Sequence, residues 1–134
     1  MCFSIDKLPD NIAVSYKGEL PQQKVIIVMR KYHAFLLPTF SENFGHVIVE
    51  AMQAGLIPII SDKTPWVGLQ DANIGWSIPL NRGVDYIKAI DSLCEINSKE
   101  YTDKSFRVMG YIHTKIDNKL AAEKYLNFFY NINT

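Results

Sequence analysis

The apolar positions of this chain change period several times, and each change marks an element. Ala34 to Leu37 is an unbroken apolar run stopped by Pro38, which has no amide to give to a central ladder, so the run predicts a short buried strand. Thr39, Ser41, Glu42 and Asn43 can all accept hydrogen bonds from backbone amides. They stand just before the spaced apolar set Val47, Ile48, Ala51 and Met52, an order that predicts a capped helix. Gly55 falls where such a helix needs a left-handed residue to end, and Ile57 to Ile60 resumes as a second buried strand. Ala34 to Ser61 is therefore expected to form one strand, helix, strand crossover.

The same reading extends outward. After a turn at Leu8 to Asn11, Ile12 to Tyr16 alternates β-branched and small residues and stops at Lys17-Gly18, which predicts a strand with a tight exit. Pro21 is placed to open a helix with the stripe Val25, Ile26, Val28 and Met29, ending by His33. Gly75-Trp76 leads into a last strand, Ser77 to Leu80. Beyond Val84 the spacing turns helical through Tyr86, Ile87, Ile90, Leu93 and Ile96, and Ser98 with Tyr101 opens a further helix carried by Phe106, Met109, Ile112 and Ile116. The aromatic tail, Tyr125 to Tyr130, is expected to cover the sheet. The fold class that follows is α/β, a Rossmann-like parallel sheet with flanking helices.

Composition narrows the function more than the fold. The 134 residues suffice for one compact domain and are few for a two-domain enzyme. Fourteen basic and fourteen acidic residues cancel, so no long-range field draws the chain to nucleic acid. No apolar run approaches the roughly 20 residues of a membrane span, and the start lacks the form of a signal peptide. Cys2 and Cys94 match no metal spacing and read as reduced thiols of a cytoplasmic protein.

Two carboxylates carry the candidate chemistry. Glu42 and Glu50 are eight residues apart, a little over two turns at about 3.6 residues each, so they fall on nearly one helical face and are able to address one ligand. Between them the amides around Gly45, His46 and Val47 form the positive end of the helix, where a phosphate binds without a lysine. Gly45 has no side chain to block close approach. Phe44 is a packing residue that fixes the loop. A neutral His46 imidazole is able to donate to a phosphate or a sugar hydroxyl. His33 reads as a half-buried or capping residue, Lys17 as solvated. Trp66 suits either a sugar-stacking face or a buried loop anchor.

The stretch from Glu42, E-N-F-G-H-V-I-V-E-A, resembles the E-x7-E motif of the retaining GT-B fold glycosyltransferases of group 1, or family 4. Leu36-Leu37-Pro38, Glu50-Ala51-Met52, Gly55, Pro58 and Ser61 fit the same pattern, and the likeness runs from about Val14 to Leu80. The resemblance implies that Glu42 approaches hydroxyls of the donor sugar, which makes it the catalytic candidate. It further implies that the amides of Gly45, His46 and Val47 hold the diphosphate and that Glu50 binds the ribose; Asn43 and Phe44 complete the donor-binding stretch. Pro65-Trp66 and Leu69 replace the Gly-Gly turn and Glu usual in the family.

By that resemblance the parent transfers a sugar from a nucleotide-diphosphate sugar to a carbohydrate or lipid-linked acceptor, with retention, in polysaccharide biosynthesis, needing neither a metal ion nor a cofactor. Only part of the donor lobe is matched. The acceptor lobe and the basic residues that balance the diphosphate are expected elsewhere in the parent, which would leave this chain alone inactive or nearly so. A nonenzymatic nucleotide-sugar binding module and part of a GT-B-like nucleotide-sugar epimerase are the alternatives. The strand at Ala34 is expected to have an open edge, which either pairs with the strand at Ile12 or joins a second copy as a homodimer.

Overall fold

The computed structural model describes residues 8–41 and 45–132. Among them, parallel strands β1 (Ala34–Leu37), β2 (Ile57–Ser61) and β3 (Trp76–Ile78) form one sheet in that order. Helix α1 (Val25–Met29) follows a 3₁₀ turn at Gln22–Lys24, α2 (His46–Gln53) links β1 to β2, and α3 (Gly83–Glu95) and α4 (Ser98–Ile132) follow β3. This is an α/β, Rossmann-like arrangement. Ala34 pairs with Ile57 and Leu37 with Ile60, while Ile59 pairs with Trp76 and Ser61 with Ile78. All of β2 is buried, as a central strand covered on both faces requires.

Because successive strand residues face opposite ways, Ile60 and Ile59 enter different cores. Ile60 joins Ile48 and Met52 of α2, Leu69 and Ile74 of the β2–β3 connection, and Val108 and Ile112 of α4. Ile59 joins Ile78 and Ala89 of α3. Hydroxyls tie helices to the sheet: Tyr86 donates to the Ile78 carbonyl at 2.9 Å and Tyr101 to that of His33 at 3.0 Å. The predicted end of α2 is present. Gly55 has φ +85°, its amide donates to Met52 and the Leu56 amide to Ala51, both at 3.0 Å, which closes the helix with a Schellman turn.

Three expectations differ. Ile12 to Tyr16 forms no strand; its side chains are exposed, Tyr16 at 93%. Strand propensity expresses itself against a partner and a buried face, and among the described residues this segment has neither. It therefore does not pair with β1, whose outer edge is open among the described residues. The last strand stops at Ile78 because Pro79 has no amide to extend the ladder. The described side chains of the tail do not cover the sheet: α4 runs on as one helix and leaves Leu126 57% and Tyr130 72% exposed, while the side chains of Tyr125, Phe128 and Phe129 lie outside the described residues.

Candidate functional site

The site stands at the carboxyl ends of the strands, where open parallel sheets take their ligands. The loop after β1 is pinned to the end of β2 by the buried Ser61, whose hydroxyl donates to the Thr39 carbonyl at 2.5 Å. Thr39 and Ser41, expected as caps, instead bond to each other: the Thr39 hydroxyl donates to the Ser41 carbonyl at 3.0 Å and accepts its amide at 3.4 Å. Among the described residues no side chain caps α2. Its N-cap is Gly45, in the left-handed region at φ +62°, which glycine alone enters without strain.

Glu42, Asn43 and Phe44 lie outside the described residues. Of the other predicted site residues, Gly45 is buried, His46 is exposed at the first position of α2, and Val47 is half-buried against the core. Glu50 is half-buried and accepts a hydrogen bond from the side-chain amide of Gln22. Gln22 was invisible to local pattern, standing in another element. On the opposite flank the Trp66 indole packs on Gly45, so that a Cβ there would lie 2.7 Å from Nε1. That nitrogen is buried and has no hydrogen-bond partner among the described residues.

Helix α4 brings cations to this end of α2. Lys115 and Lys119, one turn apart, line a cavity of about 310 Å³ together with His46, Trp66 and, as its one carboxylate among the described residues, Glu123. Their four-residue spacing was legible, but nothing local tied it to the Gly45 loop. On the α3 side of the sheet, burial and then the Asp62 carboxylate push the Tyr86 phenol above its ordinary value. One oxygen of Asp62 is itself buried without a hydrogen-bond partner. A further hollow of about 440 Å³ lies away from this region, between α3, α4 and the start of β1 at His33 and Ala34.

A family model described as glycosyl transferases group 1 matches residues 2–106. The chain belongs to the group 1 glycosyltransferases. This glycosyltransferase chain is 29% identical over 128 residues to GDP-mannose:cellobiosyl-diphosphopolyprenol alpha-mannosyltransferase of Xanthomonas oryzae pv. oryzae (strain PXO99A). It is also 29% identical over 127 residues to the protein of that name from Xanthomonas campestris. Each alignment covers 92% of this chain and 32% of the relative, so the glycosyltransferase chain spans about a third of the length of these curated relatives. No solved structure matches it. Among the described residues no helix is long and apolar enough to cross a membrane.

Proposed function

We propose that this chain is the donor-binding part of a GT-B transferase that moves a sugar, with retention, from a nucleotide-diphosphate sugar to a carbohydrate or lipid-linked acceptor. The observation that carries the reading is the start of α2 on left-handed Gly45 at the carboxyl edge of the sheet. There the first-turn amides and the helix dipole face an incoming diphosphate. Glu50, half-buried beside Gln22, takes the ribose hydroxyls. Glu42 orients the sugar, and Asn43, Phe44, His46 and Val47 complete the donor-binding stretch. Lys115 and Lys119 supply positive charge on the other flank, so the site works without a metal ion. The names of the relatives make GDP-mannose the first donor to try and a diphosphopolyprenol-linked glycan the first acceptor.

Calorimetric titration with GDP, UDP and ADP and their sugars tests the site and names the base. Glu50→Ala is expected to weaken nucleotide binding by about 1 to 3 kcal/mol; unchanged affinity would leave Glu50 only its bond to Gln22. The start of α2 on Gly45 would serve binding alone equally well, which supports a second reading, a binding module without turnover. Donor binding with no sugar transfer or donor hydrolysis by this chain is the result expected for a part that needs an acceptor lobe, and transfer regained on adding that lobe distinguishes it from a module. The open edge of β1 joins a second copy, giving a homodimer.

A further inference from the structure

The Trp66 indole N–H has given up water and received no acceptor in return among the described residues, a rare condition for a buried donor. Its position is set from two sides. Buried Thr64 holds the Trp66 backbone, its hydroxyl accepting the Trp66 amide at 3.1 Å. The ring in turn sits against Gly45, where a Cβ would come within 2.7 Å of Nε1. The unpartnered donor is thus kept beside the residue that starts α2, at the end of the helix where partial positive charge gathers.

Next to it opens the cavity of about 310 Å³ walled in part by His46, Trp66, Lys115 and Lys119. The indole and two ammonium groups offer donors there, against Glu123 as the one carboxylate among the described lining residues. An oxygen-rich anion is the ligand class that answers this set. We propose that Trp66 is a further donor-binding residue, whose indole N–H turns onto a diphosphate oxygen as the nucleotide sugar settles at the start of α2; this rests on the nucleotide-sugar reading above. The ring must tilt away from Gly45 to do so. That motion gains a hydrogen bond and gives none up, because the N–H has no partner to leave.

The chain has two tryptophans, so ¹⁵N NMR of the full chain resolves their indole signals during titration with GDP, UDP, ADP and pyrophosphate. The Trp66 signal, identified by its loss in Trp66→Phe, is expected to move downfield on binding. Trp66→Phe keeps the ring and removes the N–H; it is expected to bind about fivefold more weakly, the worth of one hydrogen bond, with its melting temperature unchanged. A Trp66 signal that stays in place while a nucleotide binds overturns the proposal, as does equal or tighter binding by the variant. The shift is read on the unsubstituted protein, so it decides the matter even where the variant folds poorly. If none of the four probes binds the unsubstituted protein, the nucleotide-sugar reading itself falls, a failure distinct from binding that ignores Trp66.

Discussion

Gly45 and Gly55 bound α2, and both hold positive φ, +62° and +85°, a region that costs other residues about 1 to 2 kcal/mol. At Gly55 a Cβ would also stand 2.6 Å from the Ser105 hydroxyl oxygen, which donates to the Gly55 carbonyl at 2.7 Å. Gly55→Ala is therefore expected to lower stability by at least about 1 kcal/mol, read as an earlier urea midpoint with α4 loosened at Ser105. Gly45→Ala adds the displacement of Trp66 and is expected to change tryptophan fluorescence before any loss of fold. The role of Gly55 was legible because helix spacing alone places a C-terminal glycine. At Gly45 the sequence pointed to close approach, but the neighbour in contact, Trp66, comes from beyond β2, and no local pattern names it.

At the scale of elements, runs and spacings gave β1, α2 and β2 nearly to the residue, since α2 satisfies its own backbone and the two strands it links pair with each other. Ile12 to Tyr16 was misread because a strand is a property of two segments. The start of α4 was read from Ser98 and Tyr101, whereas the reciprocal cap is Asn97 with Glu100: the Glu100 amide donates to Asn97 Oδ1 at 2.9 Å and the Asn97 amide to Glu100 Oε2 at 3.0 Å. Asn97→Ala is expected to cost about 0.5 to 2 kcal/mol, measurable by urea unfolding. The phenols that tie helices to the sheet set an alkaline limit. Burial, then Asp62, raises Tyr86, and burial raises Tyr101 against an opposing bond from Ser105. Raised folded values mean that their stabilisation is full below pH about 10 and lost as pH climbs through those values. Lys104, lowered by burial and then by Arg107, acts oppositely, its penalty fading as pH rises towards about 10.5. Unfolding free energy is expected to decline above pH about 10 in the wild type and less so in Tyr86→Phe.

For the whole molecule, the two sheet edges are treated differently. Outside β3 the Gln70 side-chain amide stands in for a strand, donating to the Ser77 carbonyl at 2.9 Å and accepting its amide at 3.1 Å. Nothing described does this for β1, where Leu36 remains 51% exposed. The chain is expected to elute as a dimer on size exclusion and Leu36→Lys as a monomer; a monomeric wild type would end the homodimer proposal. Helix α4 raises a separate matter of scale. Its 35 residues extend about 52 Å, against roughly 17 Å for the five residues of β2. Its described side chains are exposed after Ile116, so the turns beyond Glu123, the last residue lining the cavity beside α2, lean chiefly on their own propensity. On warming, helical ellipticity should fall before tryptophan emission changes, and no single melting temperature will describe both the arm and the body that carries it.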